Sequence, residues 1–495
     1  MLPFKAVILW TDALVFVLIA CVAVFAWYTA RYEHLRTPWR KVMRSPSGMA
    51  ALAVLVTFVV IGLLDCLHYQ RAIPPERPGE PVRYAPEVLS ALDAVTEHLR
   101  LRQERTFSAP FAVYGHAKET ITREDGTQVR AYPRLKHGGA HLADPAAERA
   151  ADIGRTSLQG LGVATLLWLM AVTALTGVTA ARRGRRFSDV SGELWRGDLD
   201  VPLRAVLVTL GLILLACAPL ALLSFRYHVF GTDKVGQDVL YLTLKSVRTG
   251  LVIGTVTTLV MLPFALALGI MAGYFRGWVD DVIQYLYTTL SSIPGVLLIA
   301  AAVLMMQVYM DTHPEIFDSV TRRADVRLLF LCIILGVTSW TGLCRLLRGE
   351  ALKLRELEFV QAAQAFGVGP WRIMLRHILP NVLHIVIITT VLGFSGLVLA
   401  EAVLSYVGVG VDPAMNSFGT MINAARLEMA REPVVWWSLA AAFATMLLLV
   451  LSANLFADAV RDALDPRVRA HATRPQLWSR LVFPARRPAT RENQA

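Results

Sequence analysis

The residues of this chain that could do chemistry are few and scattered. His137 and His141 stand four apart, with His116 upstream, a spacing that metal ligands use on one helix face. Gly138-Gly139 between them argues against a stable helix, so solvated loop histidines are the better reading. Cys21, Cys66, Cys217, Cys332 and Cys344 lie in or beside apolar runs, with no Cys-x-x-Cys spacing. They read as small buried hydrophobes, not as a disulfide framework or metal site. No Gly-x-x-x-x-Gly-Lys-[Ser/Thr] loop and no Rossmann glycine pattern is present to cradle a phosphate. The sequence does offer a surface for coupling. Glu358-Phe-Val-Gln-Ala-Ala-Gln-Ala-Phe-Gly367 and Arg372-Ile-Met-Leu-Arg-His-Ile-Leu-Pro-Asn381 lie between two long apolar segments. Ala362, Ala363 and Ala365 allow close approach, and Phe359, Val360 and Phe366 supply apolar contact area. Gly367 suits the left-handed residue that ends a helix. Gly369-Pro370 then starts another, with proline in its first turn. The spacing predicts a short rigid helix–turn–helix on which another protein can dock.

The elements that position this surface are membrane spans. The chain has 495 residues, 55% of them hydrophobic and 18% charged, with a mean hydropathy of +0.49. That composition is too apolar for a soluble enzyme and fits a multi-span membrane protein. The net charge of +11 does not point to nucleic acid, because the arginines cluster beside apolar runs, where they control topology. At roughly 20 residues per crossing, segments at about 6–30, 49–68, 158–180, 203–225, 248–273, 282–308, 327–347, 382–409 and 434–458 qualify as spans. The first lacks a small-residue cleavage site and reads as an uncleaved span. Basic stretches follow at 31–44, at Arg182-Arg-Gly-Arg-Arg186, around Arg348, Lys353, Arg355, Arg372 and Arg376, and after Arg461. The positive-inside rule puts all four in the cytoplasm. Nine spans with a periplasmic N-terminus and a cytoplasmic C-terminus satisfy every one.

This topology exports residues 69–157. Val88, Leu92, Val95 and Leu99 predict one helix over Pro86–Arg102. Lys118–Tyr132 reads as a hairpin turning at Asp125-Gly126. Together they make a small α+β insert. Within the spans, Tyr285, Tyr287, Thr288, Thr289, Ser291 and Ser292 either line a solvated path or bond backbone carbonyls and neighbouring helices. Pro294 is expected to kink its helix. Glu401, inside a span, must face protein or water; it either lines the pathway or pairs near the outer surface. Asp12 and Asp65, near span ends, read as solvated at the interface.

The docking surface resembles a known family. Gln361-Ala362-Ala363, Gly367 and Leu379-Pro380 match the loop of inner-membrane permeases of ATP-binding-cassette importers. That loop carries Glu-Ala-Ala, three residues, Gly, and later Leu-Pro. Gln361 replaces the usual Glu and removes a charge, although amide and carboxylate are nearly isosteric. His377 stands where many members have Ile. Gly231-Thr-Asp-Lys-Val-Gly-Gln-Asp-Val-Leu240 resembles the exported signature of the dipeptide/oligopeptide/nickel permeases, C-type subunit, with Gln237 for the usual arginine. Its signature residues are Gly231, Thr232, Asp233, Gly236 and Asp238, and Thr232 or Asp233 is expected to cap a helix. Gly273–Asp280, Ser291–Gly295, Ala400–Gly410, Ser417–Met421 and Asp462–Arg467 match further family strings.

The resemblance covers about 200–469 and implies an all-α polytopic fold whose six core spans are the fourth to ninth. It implies a bacterial inner-membrane permease working by alternating access with a second homologous permease, amid membrane lipid. ATP-binding cassette subunits would bind ATP and Mg, so no cofactor is expected in this chain. A periplasmic solute-binding protein would carry selectivity, and the cargo would be peptide. The docking residues would be Glu358, Phe359, Val360, Gln361, Ala362, Ala363, Phe366, Gly367, Arg372, Arg376, Leu379 and Pro380. The candidate pathway residues are Tyr285, Thr288, Ser291, Ser292, Pro294 and Glu401. Residues 1–68, 69–157 and 158–199 would be two extra spans, the insert, and a third extra span with a basic linker; 470–495 would be a disordered basic tail. Competing readings are an importer for nickel or another small solute, a secondary transporter, and a sensor. A secondary transporter needs repeats and paired midplane acids. A sensor needs a signalling domain, and the tail is short and basic.

Overall fold

Nine helices among the described residues are long and apolar enough to cross a membrane, one for each segment expected from the sequence. The computed structural model describes residues 4–73, 83–122, 128–197, 201–316 and 319–464. The expected turn at Asp125-Gly126, the Asp465–Arg467 string and the 470–495 tail lie outside them.

In chain order, β1 (Phe4–Val7) precedes α1 (Trp10–Arg31), α2 (Glu33–Arg44) and α3 (Pro46–Cys66). The insert holds β2 (His68–Ile73), β3 (Arg83–Tyr84), β4 (Leu89–Ser90), α4 (Ala91–Val95), α5 (Glu97–Leu101), β5 (Glu119–Thr122) and β6 (Gln128–Ala131). Then come α6 (Pro145–Arg183), α7 (Phe187–Arg196), α8 (Leu203–Ser224), α9 (Val239–Phe275), α10 (Gly277–Ser292), α11 (Gly295–Thr312) and α12 (Val320–Arg355). The chain continues through α13 (Glu358–Ala365), α14 (Pro370–Ile373), a π-turn over Met374–Ile378, α15 (Leu379–Val407), α16 (Phe418–Glu428) and α17 (Trp437–Leu464).

Local chemistry sets the helix ends. Ser45 caps α3 by accepting from Gly48 N at 3.3 Å, with Pro46 at the first position. Asp144 and Pro145 repeat the device for α6, and Asp238 caps α9. The long pair α9 and α12 forms the centre of the bundle. α1 and α3 pack directly on α9, and α6 lies along α8. The extra spans are therefore part of one body with the core. β1 pairs antiparallel with β2, Phe4 opposite Arg71 through Val7 opposite His68, which puts the chain's start beside the insert. The broad exposed apolar flanks of α1, α6, α8 and α11 suit lipid.

Three expectations need correcting. The segment 282–308 is not one kinked span. α10 stops at Ser292, Ile293 is extended (φ −87°, ψ 130°), and α11 restarts after Pro294. A residue before proline is driven out of the helical region, and here it breaks the helix. The Pro86–Arg102 helix is two short pieces. Thr96 leaves helical geometry between them, Leu92 and Leu99 face inward, and Val95 is exposed.

Third, Asp12 and Asp65 are not solvated: they are 0% and 3% exposed. Arg248 of α9 donates from Nη2 to Asp12 Oδ1 at 2.6 Å and to Thr11 Oγ1 at 3.0 Å. Asp325 of α12 accepts from the Trp10 N–H at 2.9 Å and from the Thr11 hydroxyl. Lys245 of α9 donates to Asp65 at 2.6 Å and Asp93 at 3.1 Å, while Tyr241 donates to Asp93 at 2.8 Å. Charges buried together must be paired. Here the cations and Asp325 belong to the core, and Asp12, Asp65 and Asp93 to the N-terminal region. No local sequence signal links residues this far apart.

Candidate functional site

The surface expected from sequence to dock a partner is built on α13. Val360 and Ala363 stand three apart, hence on one face, and that face packs inward with Tyr274, Ala351, Ile373, Met374 and Ile378. Both were expected to meet a partner; burial makes them the foundation instead. Glu358, Phe359, Gln361, Ala362 and Phe366 point outward, and Phe366 is 88% exposed. Gly367 adopts φ +74°, and Val368 N donates to Ala363 O at 3.1 Å, closing the helix in the expected left-handed cap. Arg372, Arg376 and Pro380 are exposed and Leu379 is half-buried. Exposed Leu357, Trp371 and Leu375 widen the apolar surface beyond the residues chosen from sequence.

This platform is tied to the rest of the bundle. Arg355 Nη1 donates to Tyr274 O at 2.7 Å, and Gln364 Nε2 to the Tyr274 hydroxyl at 3.3 Å. Arg276 pairs with Glu356. Arg348 grips Asp280 with two bonds of 2.6 and 2.7 Å, which hold the Asp280 carboxyl below the usual carboxylate range. Gln361 Nε2 donates to Glu356 O at 3.2 Å. From Pro370 the chain runs through the π-turn into α15, where Leu379 N donates to Met374 O. α14, the π-turn and α15 thus form one continuous rod over Pro370–Val407, joined to α13 by the turn at Gly367.

At the other end of the bundle the 231–240 signature is covered by the insert; only Lys234 and Val235 are exposed. The Thr232 hydroxyl accepts from Ser108 N at 2.7 Å and donates to Thr106 O at 2.9 Å. Gly231 and Gly236 both have positive φ, and a Cβ on either would strike the Ser108 or Glu104 carbonyl. Asp238, not Thr232 or Asp233, caps α9, accepting from Leu240 N at 2.8 Å. Asp233 closes an intervening turn by accepting from Val235 N and Gln237 N, so the helix starts after it. Asp238 also bonds His228 Nδ1 at 2.7 Å, and His228 Nε2 faces Glu104 at 3.4 Å. Glu104 accepts from the N–H groups of Lys136, His137 and Gly138 at 2.8, 2.7 and 3.2 Å. Burial alone would lower His228 and raise Glu104; the bonds among them outweigh it, pushing His228 up to about 9 and Glu104 down to about 2. His141 bonds Asp152 at 2.9 Å, and His116 lies edge-on to Trp437 at 4.8 Å.

Tyr285, Thr288, Ser291, Ser292 and Pro294 are exposed along α10 and its break, whereas Tyr287 is buried under the Arg345 guanidinium. Glu401 is 1% exposed and accepts from the hydroxyls of Ser405 at 2.7 Å and Ser417 at 2.8 Å. It ties α15 to the cap of α16, inside the subunit and away from any solvated face.

Residues 265–470 match the family described as binding-protein-dependent transport system inner membrane component. An oligopeptide transport system permease protein, OppC, of Mycobacterium tuberculosis is 32% identical over 243 residues, covering 49% of this chain and 77% of that protein. The glutathione transport system permease protein GsiD of Pectobacterium atrosepticum is 31% identical over 245 residues, 49% and 74% of the two chains. The chain belongs to this family. The dipeptide permease DppC of Alkalihalophilus pseudofirmus is 31% identical over 243 residues, covering 49% of the permease and 73% of that relative. Among solved structures, the MetNI methionine ABC transporter in an inward-facing conformation aligns with 46% of the permease and 98% of its own chain. Its TM-score of 0.36 at 16% identity is too slight to carry weight.

The permease is a multi-span protein of the bacterial inner membrane and a component of a transport system. The matched segment contains the α13 platform, its ties and α15. The insert and all three extra spans precede it.

Proposed function

We propose that the permease forms, with a second homologous permease, the membrane path of an ATP-driven peptide importer. The observation that carries this is the α13 platform: an exposed apolar face around Phe359 and Phe366, seated through buried Val360 and Ala363 on Ile373, Met374 and Ile378 at the start of the rod that leads into α15. An ATP-binding cassette subunit, holding ATP and Mg, grips that face. Its closure is transmitted along the α14–α15 rod. The basic loops put the platform in the cytoplasm and the N-terminus and insert in the periplasm. The exposed polar residues of α10, Tyr285, Thr288, Ser291 and Ser292, face the second permease and the solute. A periplasmic solute-binding protein delivers the cargo. The named relatives favour peptide over nickel.

The test is co-purification from detergent-solubilised membranes, with wild type beside Phe366→Asp. Wild type should bring ATPase subunits and a second permease, and the variant should keep the second permease but lose the ATPase. Wild type that arrives alone and transports alone in liposomes would make it a secondary transporter.

A further inference from the structure

The insert lies outside the matched family segment, and it holds an open cleft of about 630 Å3. That volume is in the range of small-molecule sites. Phe107 and Leu135 contribute buried apolar lining; Arg105, Arg134 and Lys136 are exposed cations, and Glu119 is a half-buried acid.

The disposition of these charges selects a ligand class. The Lys136 backbone is anchored by Glu104 at 2.8 Å, while its ammonium has no ion-pair partner among the described residues. Arg134 gives one guanidinium nitrogen to the Leu142 carbonyl and keeps the others. Arg105 meets Glu119 only at 3.6 Å, with its side chain 86% exposed. Such a pair is weak, and a ligand can open it at little cost. A carboxylate entering the cleft therefore meets two or three cations, and an ammonium meets Glu119. Short peptides with free termini carry both groups, and the hollow of the cleft leaves room for a side chain between them. A flat acidic protein face would use the cations but leave Glu119 and the hollow unfilled.

We propose that the insert cleft binds short zwitterionic peptides. The carboxy terminus lies toward Lys136 and Arg134, and the amino terminus toward Glu119. This rests on the peptide-import reading above and extends it: the permease carries a peptide site of its own. The site is placed to communicate with the core. Glu104, which fixes Lys136, also faces His228, and its carbonyl packs on Gly236 in the loop that leads into α9.

The experiment is calorimetric titration of the full-length permease in lipid nanodiscs with trialanine, its carboxy-terminal amide and its N-acetyl form. Wild type should bind trialanine saturably. Amidation, or Lys136→Glu, should weaken binding at least tenfold; acetylation, or Glu119→Gln, at least fivefold. Both side chains reach the surface, so the variants should fold. No saturable binding to wild type, or equal affinities across ligands and variants, would overturn the proposal. So would variants that keep peptide affinity but lose co-purification with the solute-binding protein, which would make the cleft a protein-docking surface. Recovery of the ATPase from the same preparations reports separately on the importer reading.

Discussion

Replacing Glu104 with alanine should unlock the insert from the 231–238 loop. The carboxylate accepts three backbone N–H bonds, from Lys136, His137 and Gly138, and faces His228. Its removal leaves three donors, on exposed Lys136, half-buried His137 and buried Gly138, without their acceptor, and His228 with Asp238 alone. Breaking one side of a buried charged arrangement costs ~3–5 kcal/mol. At about 1.4 kcal/mol per decade, that is roughly a hundred- to four-thousandfold in a local opening constant. Hydrogen exchange followed by mass spectrometry reads it directly, since native-state exchange reports opening segment by segment. Amides in 136–138 and 231–238 should exchange faster by roughly that factor, while those of α13 and α14, at the far end of the bundle, stay unchanged. Glu104→Gln should fall between, because its carbonyl still accepts but its charge is gone. Unaltered exchange at 231–238 in Glu104→Ala would refute the idea that this carboxylate holds insert and loop together.

The same junction should depend on pH in both directions. The contribution of Glu104 is present above its ordinary value of 4.5 and is lost as pH falls toward about 2; that of His228 is present below 6.5 and is lost as pH rises through about 9. Protease resistance of the insert should therefore peak near pH 5–6.5 and fall on both sides. Arg248→Leu should leave Asp12 with only His68, at 2.7 Å, and lower stability by ~3–5 kcal/mol, seen as early thermal unfolding in detergent. Adding Asp12→Asn should restore much of the loss, and a double variant no better than the single would show that the pair is not coupled. Val360→Ala should cost about 2 kcal/mol as a core truncation, whereas Phe366→Ala should leave the melting temperature unchanged yet weaken ATPase capture. Equal effects of the two would contradict the inward and outward division of α13. Gly160→Leu, whose Cβ would meet Pro219 at 2.5 Å, should detach α6 from α8 and expose α6 to protease.

The spans, apart from the break at Ile293-Pro294, the hairpin strands of the insert and α13 with its glycine stop were legible in the sequence, because each is set by local properties. Roughly 20 apolar residues must become a helix in lipid. A glycine after an alanine-rich run is the cheapest left-handed stop. Family strings are local as well, so the family was recognisable from residues alone. What local pattern could not decide was which residues meet across the fold. Asp12 and Asp65 look like any acids near a span end until Arg248 and Lys245 are brought to them from the other side of the chain. Glu401 looks like a pathway residue until Ser405 and Ser417 claim it. Val360 and Phe366 are alike as apolar residues of one motif. Only the packing of α13 on Tyr274 and Ile373 separates the foundation from the contact surface. Gly231 and Gly236 announce a tight turn in the sequence, but not that the insert's Ser108 and Glu104 carbonyls crowd it. Burial and pairing are properties of the assembled chain: a buried charge must find its partner wherever the fold provides one, and sequence distance does not say where that is.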